Sequence, residues 1–266
     1  MRKKIIALVL SVLMIGLCFA LAGCGEKKPA ADSDLAYIQG KGTLVVGITD
    51  FEPMDYQEEG SEDWIGFDAD LAKKFAESLG VAVEFQLIEW DYKVNELDGK
   101  TIDCVWNGMT LTDEVKAAMD CSKAYCNNQQ IVIVAADKAA DYQTAEACKD
   151  LRFAVEAGSA GEAVAKENGF ATTPVLDQAT ALQEVAAGTC DAAIIDSLMA
   201  AAMVGEGTSY ANLTYTVGLN DEEYGVGFRK GSDLVEKFNA FLDAAIADGT
   251  VDAVAETYGV QASLIK

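Results

Sequence analysis

The stretch from Ile102 to Ala136, IDCVWNGMTLTDEVKAAMDCSKAYCNNQQIVIVAA, constrains the fold more than any other part of the chain. Ile102 to Trp106 is mostly apolar and partly β-branched, which suits a buried strand. Asn107-Gly108 is a turn signal. Thr112 is placed to N-cap a helix, and Asp113 and Glu114 then lie where the helix dipole favours negative charge. Gln130 to Ala136 is apolar and β-branched again. A strand whose C-terminal end meets a helix N-terminus is where open α/β folds bind ligands. This corner is therefore expected to form half of a binding cleft, with Ile131 to Ala135 leaving it as a hinge strand.

The same grammar precedes and follows this stretch. Leu44 to Ile48 is a buried-strand run, followed by a polar loop from Asp50 to Gly66 that holds Phe51 and Pro53. Leu71, Phe75 and Leu79 share one face of a helix that Gly80 closes. Val81 to Ile88 alternates as a strand, and Glu89-Trp90-Asp91 opens a short helix. The first part thus reads as a parallel sheet with helices on its faces. From Leu151 the βα logic starts again, with strands at Leu151 to Val155, Pro174 to Leu176 and Ala192 to Ile195, the last ending in Asp196. Tyr224 to Arg229 is a Gly-punctuated strand. The helices beyond it carry Leu234, Phe238, Phe241, Leu242 and Ile246, but too little sheet for a domain. They are expected to return to the first lobe, so that two strands, near 131–135 and 224–229, join two lobes.

Charge limits the function. The 266 residues carry a formal net charge of −23, and the first 23 hold three basic residues and no acidic one. Such an acidic surface excludes nucleic acid, whose phosphates need a basic footprint. There is no His in the chain, so a His-based triad or His-ligated metal is impossible, and no metal or cofactor is expected. Met1 to Gly23 has a basic n-region and a long apolar h-region, the pattern of a signal peptide. Leu21-Ala22-Gly23-Cys24 resembles a bacterial lipobox, which implies cleavage before Cys24 and a lipid on its thiol. The polar residues that follow read as a tether.

Seven phrases in chain order carry a wider resemblance: GITDFEPMDY, GFDADLAKKFAESLG, LDGKTIDCVWNGMTLTDE, VEAGSAGEA, AAGTCDAAIID, YGVGFRKGS and DGTVDAVAETYG. From about Gly42 onward the chain resembles the extracellular solute-binding proteins of polar amino-acid ABC importers. The resemblance implies an α/β, two-lobed periplasmic-binding-protein-like fold of type II with two hinge strands. The implied organisation is a lipoprotein signal at 1–23, a tether at 24–41, one lobe from 42–131 and 225–266, and a second from 132–224. It also implies a monomer, anchored to the outer face of the cell membrane through Cys24, that hands a small molecule to an ABC permease.

A buried amino acid needs an anion for its ammonium, donors for its carboxylate and apolar surface for its stem. By resemblance Phe51 is an aromatic lid, though its loop is about two residues short, and Trp90 is the opposing platform. A cation between two rings gains ~0.5–2 kcal/mol. Asn107, Gly108 and Thr110 match a segment that offers carbonyls and a hydroxyl, although the residues alone also read as a plain turn and cap. Gly158 and Ser159 match a nest whose N–H groups hold a carboxylate. Asp196 matches the acid that pairs the α-ammonium; by itself it also reads as a helix N-cap. Glu156 lies where the family faces the ligand side chain, and it reads equally as solvent-facing. Asp50 is near the cleft by resemblance.

One departure stands out. The family reads T-x-E-R after the GMT phrase, and that Arg clasps the ligand carboxylate. Here Val115 occupies the position, and Lys116 is turned ~100° away on a helix. Acids, two aromatics and no Arg together suit a cationic or amine-rich solute. An enzyme of the dehydratase type, similar to this family, is the alternative, with Glu156 or Asp196 as acid or base. Five cysteines remain after Cys18 and Cys24, an odd number that cannot all pair. Cys148 with Cys190 is a possible bridge.

Overall fold

Trp106 sits at the centre of the first lobe, fully buried, with Phe238 edge-on to it at a ring separation of 4.8 Å. The structure, a computed structural model, describes residues 33–265, and from Asp34 the chain forms one compact unit. The signal segment and the first half of the expected tether, Cys24 included, lie outside the described residues. The first sheet is built on the strand Thr43–Ile48, which pairs in parallel with Ala82–Leu87 on one side and with Cys104–Val105 on the other. Gly227–Phe228 then pairs antiparallel with Cys104–Val105 and with Asp120–Cys121. The all-parallel expectation therefore fails at this edge. The strand that returns from the second lobe enters the sheet running the opposite way.

The second sheet runs in the order Ala171–Val175, Arg152–Glu156, Ala192–Asp196, Gln130–Ala135, Leu213–Gly218. Its first three strands are parallel, and the last two are antiparallel to their neighbours. Alternation along the strands sorts the core: Ile131 and Ile133 join one apolar cluster, Val132 and Val134 another. Cys190 belongs to the first cluster and Cys148 to the second, so the two thiols lie on opposite faces of the sheet. Both are free, which corrects the possible bridge.

The hinge lies earlier than the sequence suggests. Ile131 to Ala135 is a fully paired inner strand of the second sheet rather than a crossing strand. The crossing is made by Cys126–Asn128, which pairs antiparallel with Glu222–Tyr224 as a two-stranded ribbon. Gln130–Ala135 is too apolar and β-branched to be left with one partner. It completes a sheet, and the polar Asn127 and Asn128 are left to cross.

The amino-terminal boundary also moves. Asp34–Lys41 is a helix, not tether, with Ile38 fully buried. Arg229 holds it down: Nε donates to Asp34 Oδ1 and Oδ2 at 3.1 and 3.0 Å, and Nη1 to the carbonyls of Leu97 and Ile102. The helices Leu234–Ala247 and Thr250–Tyr258 pack on Phe67–Ser78 of the first lobe, with Phe238 between Phe75 and Trp106.

Candidate functional site

A cavity of about 1010 Å³ opens between the two sheets, and all nine sequence-derived candidates line it. Asp50 does not. It lines a smaller recess of about 520 Å³ together with Asp177, and burial, then that neighbour, raises its carboxyl above the ordinary value.

The first lobe supplies an ordered, mostly neutral wall. Phe51 is buried and meets Tyr224 edge-on at 6.4 Å. Asn107 is spent on structure. Its Oδ1 accepts from the N–H and hydroxyl of Thr49, and its Nδ2 donates to the Thr49 carbonyl and to Asp55 Oδ2. Gly108 has φ +55°, and a Cβ there would lie 2.6 Å from the Phe51 ring. Its N–H donates to buried Asp68, which also accepts from Tyr125 Oη, both at 2.7 Å. Burial pushes Asp68 up to about 7. The Asn107-Gly108 turn is therefore pinned by two buried acids, Asp55 and Asp68, that nothing in the local pattern announces. Thr112 N-caps the helix Asp113–Ala118 by accepting from Val115 N–H at 3.1 Å. This cap holds Val115, the residue in the Arg position, in an apolar cluster with Trp90 and Met119.

Seven of the ten carboxylates in the wall come from the second lobe and the hinge. Asp196 ends its strand and precedes a helix, yet its side chain makes no capping bond. It turns into the cleft instead. Oδ1 accepts from Gln130 Nε2 and Tyr224 Oη, each at 2.8 Å, and from Asn128; Oδ2 accepts from Gln178. All four donors are neutral. Burial, then the nearby Glu222, pushes Asp196 well above the usual carboxylate range.

Glu222 is a site residue the sequence reading missed. It lies on the hinge ribbon, where Oε1 accepts from Thr110 Oγ1, Asn128 and Gln130 within 2.7–2.8 Å. Its only signal was its place just before the YGVGFR run. Glu156 is buried, not solvent-facing, and its Oε1 has no hydrogen-bond partner among the described residues. Burial, then Asp196 and Asp177, raises it to about 8, while Lys93 pulls the other way.

Gly158 and Ser159 form the expected turn, but its donors are used locally. Gly158 N–H donates to Glu162 Oε2 at 3.0 Å, Ser159 N–H to the Glu156 carbonyl, and Ser159 Oγ caps the helix Ala160–Glu167 by accepting from Glu162 N–H. Gly158 (φ +70°) also meets the other lobe: a Cβ would stand 2.6 Å from Asp91 Oδ1 and 2.7 Å from Asp91 Cα. Across the same seam Lys93 Nζ donates to the Gly158 carbonyl at 2.9 Å and to the Trp90 carbonyl at 3.1 Å, and it lies 4.9 Å from the Trp90 ring centroid. Lys93 was also missed. It reaches the cleft by folding back over its own helical turn, a direction that spacing alone does not reveal.

The cavity wall holds ten carboxylates against two lysines and no arginine. Two α/β lobes joined by a crossed ribbon, with charged groups converging from both sides, define a two-lobed type II binding-protein fold. The chain belongs to the bacterial extracellular solute-binding proteins, family 3, matched over residues 44–261. It is 28% identical to the arginine-binding extracellular protein ArtP of Bacillus subtilis (strain 168) over 250 residues, 91% of this chain and 94% of that one. An ABC uptake transporter substrate-binding protein from Streptococcus pneumoniae, solved with bound histidine, superposes with a TM-score of 0.80 at 28% identity, covering 89% of this chain and 100% of the other. The ancestral amino acid-binding protein AncCDT-1, a precursor of cyclohexadienyl dehydratase, superposes with a TM-score of 0.77 at 33% identity, covering 85% and 99%.

Proposed function

We propose that this substrate-binding component of an amino-acid ABC importer captures a cationic amino acid and passes it to the permease chemically unchanged. The observation that carries the reading is the unpartnered Glu156 Oε1, buried in a cavity whose wall is overwhelmingly acidic. A guanidinium or ammonium supplies the missing donor, and a buried charge is tolerated only when paired. Phe51 and Trp90 would face the ligand stem, Asp196 and Glu222 its α-ammonium, and Glu156 its distal cation. Asn107, Gly108 and Thr110 shape the first-lobe wall; Gly158 and Ser159 close the second against it.

Differential scanning of the purified protein with L-arginine, L-lysine, L-histidine, L-glutamine and L-glutamate tests this. At a hundredfold excess over Kd a ligand adds about 2.7 kcal/mol to stability. Cationic amino acids should raise the melting temperature most. A shift confined to L-glutamine or L-glutamate would reject the cationic assignment.

The resemblance at Leu21 to Cys24 supports a lipid anchor on Cys24; on this reading a monomeric domain would stand on the outer face of the membrane beside its permease. Palmitate labelling that survives Cys24→Ser would remove the anchor from the account. One observation favours a dehydratase-like enzyme as a second reading: a glutamic acid raised to about 8 in the cleft has the character of a general acid. Recovery of ligand unaltered after long incubation sets that reading aside.

A further inference from the structure

We infer that Lys93 is the carboxylate anchor of the cleft, its ammonium at the seam between the lobes receiving one carboxylate oxygen of the captured amino acid. The inference rests on the reading that the ligand is an amino acid with a free carboxylate.

An enclosed carboxylate must meet a donor, and the cavity offers few. No arginine lines it. The N–H groups of Gly158 and Ser159 are donated to Glu162 and to the Glu156 carbonyl. Val115 offers only methyl groups. Lys166 is mostly exposed and ion-paired to Glu162 at 3.0 Å. Among the charged donors of the lining Lys93 remains, at 8% exposure.

Its surroundings are those of an ammonium prepared for an anion. Three N–H donors are available to it. Two go to neutral carbonyls, those of Trp90 and Gly158, and among the described residues no carboxylate stands within ion-pair distance of it. Burial lowers its pKa, while Glu156, Asp91 and Glu114 act from farther off to keep it charged. A buried ammonium without a counter-ion is out of place in a chain with 43 acidic residues. A ligand carboxylate provides that counter-ion. Because Lys93 belongs to the first lobe and bonds Gly158 of the second, the same contact would also favour the closed arrangement.

Calorimetric titration of the wild type, Lys93→Met and Lys93→Arg with amino acids and their decarboxylated counterparts tests this. The pairs are L-arginine with agmatine, L-histidine with histamine, and L-glutamine with 4-aminobutanamide. Hydrogen bonds to charged groups imply that Lys93→Met weakens the amino acids roughly 10–100-fold, leaves the amines nearly unchanged, and is rescued by Lys93→Arg. Equal losses for acid and amine would reduce Lys93 to a latch between the lobes and overturn the inference, as would wild-type protein that binds amines as tightly as amino acids. If Lys93→Met fails to fold, Lys93→Gln takes its place. Preference for L-glutamine over L-arginine defeats the cationic assignment while still testing Lys93 through the neutral pair. A wild type that binds no probe overturns both.

Discussion

Asp34 and Asp103, beneath the first lobe, and Glu156 and Asp196, in the cleft, are all at most 5% exposed, yet their partners differ in kind. The first pair is neutralised from within the chain. Arg229 clasps Asp34, and Lys41 Nζ stands 2.7 Å from Asp103. The second pair is met by neutral groups, the amides of Asn128, Gln130 and Gln178 and the phenol of Tyr224, and one oxygen of Glu156 is left without any. Arg229 and Lys41 answer these two acids from within the fold, whereas Asp55 and Asp68, behind the Asn107-Gly108 turn, are structural without a paired cation. Acids whose cations are withheld, in a cavity, are set for a cation from outside. Burial with neutral partners does not by itself separate a structural carboxylate from a binding one: Asp55 and Asp68 share both with Asp196, but of these acids only Asp196 and Glu156 line the cavity.

The largest expected effect would sharpen the structural half of this contrast. Arg229→Met leaves buried Asp34 without its cation, while Asp103 keeps Lys41, and should cost roughly 3–5 kcal/mol, read as a lower urea midpoint, with ligand selectivity unchanged. Next, Asp196→Asn keeps the side-chain shape and removes the charge. Affinity for a cationic amino acid should fall by roughly 1.5–3 kcal/mol by calorimetry, whereas an unchanged Kd would break the comparison.

Glu156 makes the third prediction through pH. Its carboxyl is raised from 4.5 to about 8, so between those values the folded chain holds a proton that the unfolded chain has released. The stability from this group is complete below 4.5, declines by roughly 1.4 kcal/mol per pH unit above it, and is gone above about 8. Glu156→Gln should remove its share of that slope in urea melts between pH 5 and 8, leaving the shares of the other buried acids whose carboxyls are raised, Asp55, Asp68 and Asp196. Cationic ligands should bind wild type more tightly as pH rises through 8. The smallest effect belongs to Trp90→Ala: loss of a ring face should weaken a cationic ligand by ~0.5–2 kcal/mol, with less change for a neutral one.

Much of this was legible before the fold was seen. The cap at Thr112 and the strand end at Asp196 follow from local chemistry, and each stands where its neighbours in sequence put it; the turn at Asn107-Gly108 was legible as a turn, but the distant acids that pin it were not. Glu222, Lys93 and the hinge were not legible. Glu222 meets Asn128 and Gln130 only because two segments more than ninety residues apart pair as a ribbon. The strand Gln130–Ala135 was mistaken for the hinge because apolar alternation identifies a strand but not the number of partners it finds.

Sequence by itself determined the βα grammar, the acidity, the absence of histidine and the apolar Val115 at the head of the helix that follows the Asn107-Gly108 turn. These depend on residue identity and on contacts a few positions apart. Which acids are neutralised and which are left open, and that a lysine reaches across to the other lobe's glycine, was decided only by tertiary structure. A buried charge takes its meaning from groups brought near it through space, and spacing along the chain carries no record of them.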